Sequence, residues 1–174
     1  LVPTPYAVKM AILDRLIRGE GLEAGLAAFP ALRDTTIYAN PPRYVAVNRT
    51  FQKVLRPDGK LWNETIAQRE YCFFEGRLTL IFALPEGGET LVGVLPSVLS
   101  AINYFGRRGS FMQITDLDEG EAEPDTGGYI NLCQAVDLRA PLMGILQRMD
   151  DMRPDAIFDQ VSVLATPTRR SDGG

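Results

Sequence analysis

The chain has 174 residues, which suits one domain or one domain with an appendage. Its hydrophobic fraction of 45% can build a packed core, and no run approaches the roughly 18 apolar residues that a membrane helix needs. Histidine is absent, which excludes Ser–His and Cys–His nucleophile pairs and removes the commonest metal ligand. Two cysteines indicate neither a disulfide framework nor a zinc site, so we expect a cytoplasmic protein.

The net charge of −4 is the sum of two unequal parts of the chain. Residues 1–113 hold 13 Lys and Arg against 10 Asp and Glu, a balance of +3. Residues 114–174 hold 5 against 12, a balance of −7. The acidic total argues weakly against nucleic acid, but this asymmetry is compatible with one surface that meets phosphate and another that meets protein.

The first predicted element is an amphipathic helix up to Arg18. Thr4 can cap it, Pro5 suits its first turn, and Gly19 can end it. Its apolar residues recur at helical spacing: Val8, Ile12, Leu13, Leu16 and Ile17. A short second helix over 22–29 is expected to end before Pro30.

Tyr6 and Lys9 lie in the first turns of this helix. The positive end of a helix attracts phosphate, so Lys9 is a candidate phosphate contact. The alternative is a solvated lysine on an exposed face.

A strand with many basic residues is predicted over Arg43–Arg56. Alternation places Val45, Val47 and Phe51 on one face. The candidate nucleic-acid contacts along it are Arg43, Asn48, Arg49 and Lys53. Basic residues mixed with aromatics can follow a nucleic-acid backbone, but any edge strand also carries them to avoid aggregation.

The segment 57–68 is predicted to be a loop in which Trp62 either folds back onto the core or meets a partner. Strands are expected over 69–74 and 77–84 with either a hairpin turn or a bulge at Glu75–Gly76, followed by a helix over 91–104 and a strand over 110–114. After an acidic loop over 116–128, we expect a strand over 129–138, a helix over 141–149 and a strand over 157–164. The carboxylate spacing in the acidic loop does not match a calcium site, so we predict no metal and no cofactor.

The order helix, strand, strand, helix, strand is a split βαβ unit that lacks its opening strand. We therefore predict an α+β, ferredoxin-like (RRM-like) domain with an antiparallel sheet and both helices on one face. Its opening strand is expected upstream of Leu1. The domain would span 1–114, and 115–174 would be an acidic loop and a C-terminal elaboration.

The segment SAINYFGRRGSFMQ, residues 100–113, is the strongest candidate binding motif. Its glycines allow a close backbone approach, arginines offer planar forks for phosphate, and aromatic rings offer faces for bases. The candidate residues are Tyr104, Phe105, Gly106, Arg107, Arg108, Gly109, Ser110 and Phe111. A plain helix-to-strand turn explains the glycines but not the paired arginines.

Three segments resemble the Cas-five family of CRISPR-associated RAMP proteins: PTPYAVKMAIL, REYCFFEGRLTL and INYFGRRGSFMQ. The resemblance covers roughly residues 3–113 and rests on pattern, since no invariant catalytic signature carries it. It implies a ferredoxin-like domain with glycine-rich turns and a long hairpin, the thumb, which would match residues 43–69.

The resemblance implies a subunit of a type I Cascade complex that grips the 5′ handle of the CRISPR RNA (crRNA). Such a subunit caps the filament of backbone subunits and contacts the large subunit, so that it meets target DNA only indirectly. In this chain the helix start and the glycine-rich turn would contact RNA, and Trp62 would meet a partner. No membrane association is expected.

One branch of the family cuts precursor RNA with a trio that includes histidine. Cutting needs a base for the 2′-hydroxyl and an acid for the leaving oxygen, and this chain has no histidine. We therefore predict no catalytic residue. The alternatives are a metal-independent endoribonuclease of the same fold and a ferredoxin-like domain that binds only a protein or a small molecule.

Overall fold

The computed structural model describes residues 2–58, 61–106, 109–120, 128–134 and 147–161, and it shows an α+β fold with antiparallel sheets. The helices are α1 (Pro5–Glu20), α2 (Leu22–Asp34), α3 (Glu89–Val92), α4 (Leu95–Ser100) and α5 (Phe158–Val161). The strands are β1 (Thr36–Asn40), β2 (Tyr44–Asp58), β3 (Leu61–Glu75), β4 (Thr79–Ala83) and β5 (Ile130–Asn131). This architecture is consistent with the predicted ferredoxin-like class.

The amphipathic helix predicted at the start of the chain is α1. The Thr4 hydroxyl accepts a hydrogen bond from the Ala7 amide at 3.2 Å, and Pro5 occupies the first turn. The predicted apolar face is buried, with Val8 and Ile12 fully inaccessible to solvent. Sequence periodicity therefore predicted both the element and the side that enters the core.

Helix α2 continues through Pro30 to Asp34, so the predicted end before Pro30 is wrong. Proline inside a helix costs about 3 kcal/mol because it lacks an amide donor and its ring crowds the preceding turn. Phe29 and Leu32, on either side of Pro30, are both buried. Burial of these large side chains offsets the cost and carries the helix past the proline.

The central strand of the larger sheet is β1, which the sequence interpretation missed. It lies between β4 and β5 and pairs antiparallel with both. Ile37 and Ala39 on one of its faces are completely buried in the core. The β-preferring run Thr-Thr-Ile-Tyr at 35–38 was the available signal, and at five residues it is a short one.

Strands β2 and β3 form a separate two-stranded hairpin paired from Tyr44–Glu75 to Asp58–Leu61. The hairpin was predicted, but the loop predicted over 57–68 is wrong because β2 runs to Asp58 and β3 begins at Leu61. The hairpin turn or bulge predicted at Glu75–Gly76 is wrong, because β3 pairs with β2 and β4 with β1; Gly76, at a φ of 103°, lies in the connection between the two sheets. At 15 residues each, β2 and β3 are three times as long as β1, which has 5 residues.

The helix predicted over 91–104 is two short helices, α3 and α4, separated at Gly93. No strand forms over 110–114; an isolated bridge joins Tyr104 to Phe111. Within the strand predicted over 129–138, only residues 130–131 pair in the described part. The strand predicted over 157–164 is wrong where it is described, because 158–161 is helical. Of the helix predicted over 141–149, residues 141–146 lie outside the described residues and 147–149 are not helical.

Residues 147–161 pack back against α1 and α2. The Tyr6 amide donates to the Asp150 carbonyl at 2.9 Å, and the Phe29 and Phe158 rings meet edge to face at 5.7 Å. Met152 and Ala156 are buried. We call α1, α2 and residues 147–161 together the helical platform.

Candidate RNA interface

A cleft of about 630 Å³ lies between α1 and the segment Ile102–Gly106. Its floor is apolar, and its rim carries two tyrosines, two arginines, an aspartate and an asparagine. The lining residues are Tyr6, Ala7, Met10, Ala11, Asp14, Arg15, Arg18, Ile102, Asn103, Tyr104 and Gly106. We call this cavity the α1 cleft.

The wall of the α1 cleft opposite the helix is set by the turn after α4. Ile102 and Phe105 are buried and anchor this turn in the core. The Met112 amide donates to the Asn103 carbonyl at 2.9 Å, next to the Tyr104–Phe111 bridge. These contacts pair residues 103–104 with residues 111–112 through the backbone.

Gly106 makes the close approach that the sequence predicted for a glycine in this motif. Its φ of 77° is in the left-handed region that favours glycine, and a Cβ added there would lie 3.7 Å from that of Ala7. The backbone of the turn therefore passes directly beside the first turns of α1.

Two exposed arginines of α1 form one end of the α1 cleft. The Arg15 guanidinium donates to the Ala101 carbonyl through Nε at 2.8 Å and also through Nη2. Arg18 Nε lies 2.9 Å from both carboxylate oxygens of Asp14, one turn earlier, and this hydrogen bond raises the pKa of Arg18. Both cations are permanently charged; the Arg15 fork is directed at the Ala101 carbonyl, whereas the exposed pair with Asp14 leaves Arg18 as the candidate phosphate contact at this end.

The structure brings together three of the predicted site residues. Tyr6, with 39% of its surface exposed, the half-buried Tyr104 and Gly106 all line the α1 cleft. Phe105 is only 8% exposed, so the expectation that its ring is open to a base is wrong. Its apolar ring serves the core instead.

The remaining motif residues lie elsewhere. Gly109, Ser110 and Phe111 line a second cleft of about 710 Å³ beside β4 and the end of β3, and Phe111 is 79% exposed. Arg107 and Arg108 lie outside the described residues.

Lys9 is neither a surface phosphate contact nor a solvated lysine, so both interpretations of it are corrected. It is 1% exposed, and its Nζ lies 2.8 Å from Asp151 Oδ1 and donates to the Arg33 carbonyl at 2.8 Å. The ammonium points into the helical platform because the partners that offset its burial come from α2 and from 147–161. The partner aspartate is 142 residues away in the chain, beyond the reach of any local pattern.

The first amides of α1 already have acceptors. Ala7 donates to the Thr4 hydroxyl, Val8 to the Thr4 carbonyl and Tyr6 to the Asp150 carbonyl. These three amides at the start of α1 are therefore not available to bind a phosphate. The Tyr6 ring is the group at this end of α1 that could contact RNA.

The hairpin carries the other predicted contacts on two faces. Arg49 and Lys53 share a face with Phe51 and form cross-strand ion pairs with Glu70 at 2.8 Å and Glu64 at 3.4 Å. Asn48 lies on the opposite face across from Tyr71. Both cations are strongly exposed, so these pairs are worth at most about 1 kcal/mol each.

Two further predicted residues lie at the ends of the hairpin. At its base the Arg43 guanidinium stacks over the Tyr44 ring at 5.2 Å. At its tip Trp62 is 67% exposed and faces Pro57 across the strands. Trp62 is therefore presented outward from a strand and is not folded onto the core.

The sequence interpretation missed Arg15, Arg18 and Asn103 as lining residues of the α1 cleft. A signal for Arg18 was present, because Ala7, Met10, Asp14 and Arg18 recur at spacings of three and four and share a side of the helix. Only the apolar face of this helix and the residues Tyr6 and Lys9 at its start were interpreted from the sequence.

Across the part of the chain that the structure describes, no three Cys, Asp or Glu side chains gather as ligands of a metal ion would. In the same residues, none of the helices combines the length and the apolar character needed to cross a bilayer.

Comparison with curated proteins finds a relative of the predicted kind. The chain is 24% identical over 129 residues to the CRISPR-associated protein Cas5 of Archaeoglobus fulgidus, an alignment that covers 71% of this chain and 54% of that protein. The alignment supports a Cas5 family assignment. The chain spans about half the length of this Cas5 relative. No family model and no solved structure matches.

Proposed function

We propose that this chain is a crRNA-binding subunit of a type I CRISPR surveillance complex and that it holds the 5′ handle in the α1 cleft. The observation that carries the proposal is the cleft itself, where two tyrosine rings that can stack on bases and the Arg18 guanidinium that can meet a phosphate line one cavity. Single-stranded RNA is recognised by stacking of splayed bases and by clamping of phosphates. The similarity to a CRISPR-associated protein is the reason for proposing a CRISPR RNA as the ligand of this cleft.

Arg107 and Arg108 belong to the proposal as phosphate contacts, on the basis of the sequence motif alone. They directly follow Gly106, which lines the α1 cleft, and they precede the exposed residues Gly109 and Ser110. The guide strand would therefore run from the cleft across this turn.

The hairpin is proposed as a second RNA-contacting element, through Arg43, Asn48, Arg49 and Lys53. The carboxylates of Glu70 and Glu64 now neutralise two of these cations in solvent, where such pairs are weak. A phosphate can therefore replace the glutamates at small cost. Trp62 at the tip is proposed to meet a neighbouring protein subunit, since exposed tryptophans are typical anchors of interfaces.

Within the complex, the chain is proposed to cap the backbone filament and to contact the large subunit, in the cytoplasm and without a nuclease activity of its own. Lys9, the one lysine near the helix start, is held by Asp151 and by a backbone carbonyl inside the platform. A lysine enclosed in this way is not available to move protons on a bound RNA.

Filter binding of a labelled CRISPR repeat RNA at two salt concentrations tests the proposal. We expect binding that weakens with salt, and RNA that is recovered uncut. Tyr6→Ala should lower the affinity at least fivefold, because base stacking contributes about 1–3 kcal/mol, whereas Tyr6→Phe keeps the ring and should bind normally.

The double variant Arg107→Ala, Arg108→Ala should reduce the slope of log affinity against log salt by about 1.4, because each phosphate contact on a single strand contributes about 0.7. Site-specific cleavage of the repeat would instead favour the endoribonuclease alternative. Absence of RNA binding at either salt concentration would favour a domain that binds only proteins or small molecules.

A further inference from the structure

The Arg15 side chain joins α1 to the end of α4 across 86 residues of sequence. Its Nε and Nη2 both donate to the carbonyl oxygen of Ala101, the residue that caps α4. Ala101 directly precedes Ile102, where the wall of the α1 cleft begins. A fork with two donors on one carbonyl restrains both the distance and the orientation of that residue.

The α1 cleft has few other polar links between its two sides. Gly106 approaches Ala7, and Ile102 packs into the core, but these are apolar contacts without a preferred direction. Arg18, the other arginine at this end, is hydrogen-bonded to Asp14 of its own helix and has only a longer-range electrostatic interaction with Tyr104 across the cleft. Arg15 thus supplies the side-chain hydrogen bonds that cross the cleft in this part of the described structure.

We propose that Arg15 is a positioning residue: it sets the separation of Tyr6 and Tyr104 across the α1 cleft and does not act as a phosphate contact. The expected effect of Arg15 on RNA affinity rests on the proposed RNA-binding function. Its effect on the position of the turn can be measured without RNA. Without the Arg15 fork, the buried Ile102 and Phe105 still hold the turn in the core, but its orientation toward α1 is less restrained, and the two rings lose their fixed spacing.

The structural half is tested by amide hydrogen exchange on the protein without RNA. Arg15→Ala should speed exchange of the amides of residues 102–106 and of Met112, whose amide donates to Asn103. Arg15→Lys, which keeps the charge but has no planar fork, should give an intermediate rate. Arg153→Ala removes an exposed arginine paired with Asp155 on the platform and should leave the exchange of this turn unchanged. Equal exchange in the wild type and in Arg15→Ala would overturn the proposal.

The functional half is tested by repeat-RNA binding over a range of salt. Arg15→Ala should weaken binding about tenfold, as the loss of a charged hydrogen bond would, with the salt slope unchanged. RNA affinity should be highest in the wild type, intermediate in Arg15→Lys and lowest in Arg15→Ala, in the same order as the protection of the turn amides from hydrogen exchange. A slope reduced by about 0.7 in Arg15→Ala would identify a direct phosphate contact and overturn the positioning role. If the wild type binds no RNA, the proposed function fails while the exchange result still decides whether Arg15 positions the turn.

Discussion

The helical platform and the β2–β3 hairpin use charged side chains in opposite ways. In the platform, Lys9 is 1% exposed and is held by Asp151 and a backbone carbonyl. On the hairpin, Arg49 and Lys53 pair with glutamates while 70% and 80% of their side chains remain in solvent. The comparison teaches that a basic residue is a candidate ligand contact only where its present partners are easily replaced.

The apolar side chains show the same division. Phe29 of the platform is buried against Phe158, whereas Phe51 and Ile66 on one face of the hairpin are 72% and 68% exposed. Within the described residues, the two strands of the hairpin pair only with each other. A two-stranded ribbon leaves apolar groups of this kind in solvent, which fits the proposal that the hairpin meets a partner.

The largest expected effect comes from breaking the platform pair. Asp151→Ala should lower the free energy of unfolding by about 3 kcal/mol, because it leaves the buried Lys9 ammonium without its counterion. Lys9→Met should cost only about 1–2 kcal/mol, since the carboxylate it leaves behind is partly exposed and can be hydrated.

Urea unfolding of Asp151→Ala and Lys9→Met measures the difference between their losses in the free energy of unfolding. Asp155→Ala, which removes an exposed pair on the same segment, is the matched control and should change stability by less than about 1 kcal/mol. Equal costs for Asp151→Ala and Asp155→Ala would mean that Lys9 is as well solvated as the hairpin cations, and the comparison would fail.

A smaller effect, a gain in RNA affinity, is expected from substitutions on the hairpin. The double variant Glu64→Gln, Glu70→Gln should raise repeat-RNA affinity severalfold, because the carboxylates that compete with phosphate for Lys53 and Arg49 are removed. Its stability should change by no more than about 1 kcal/mol for each pair. Filter binding against the double variant Glu20→Gln, Glu86→Gln, which removes two exposed glutamates outside the hairpin, separates the local effect from the equal change in net charge. Equal gains in both proteins would show that the hairpin cations are not the groups that meet RNA.

The smallest expected effect is a pH dependence at the edge of the platform. The hydrogen bond from Arg33 holds the pKa of Asp34 below its usual value, against the opposing effect of burial. A carboxyl whose pKa is lowered on folding stabilises the protein above its unfolded pKa of about 3.9, and this contribution disappears as the pH falls through the folded pKa. The stability difference between the wild type and Asp34→Asn should therefore shrink below about pH 4 in urea titrations. A difference that stays constant down to pH 2 would contradict it.

The sequence determined the elements whose pattern is local. Thr4, Pro5 and the spacing of Val8, Ile12, Leu13 and Leu16 specify α1, since capping and helical periodicity depend on residues within a few turns. The alternation in β2 likewise predicted a strand, whereas its pairing into a hairpin was expected from the family resemblance. The segment PTPYAVKMAIL and the glycine-rich turn carried the family resemblance, and the curated relative supports it.

Tertiary structure decided what each charged or aromatic side chain does. Lys9 is buried because Asp151 arrives from the far end of the chain, and Phe105 is buried because the turn after α4 docks on α1. Arg15 bridges the α1 cleft because the fold places the end of α4, with the Ala101 carbonyl, beside it. No local pattern encodes these outcomes, because the free energy of a charge or a ring depends on groups that the fold brings from distant positions.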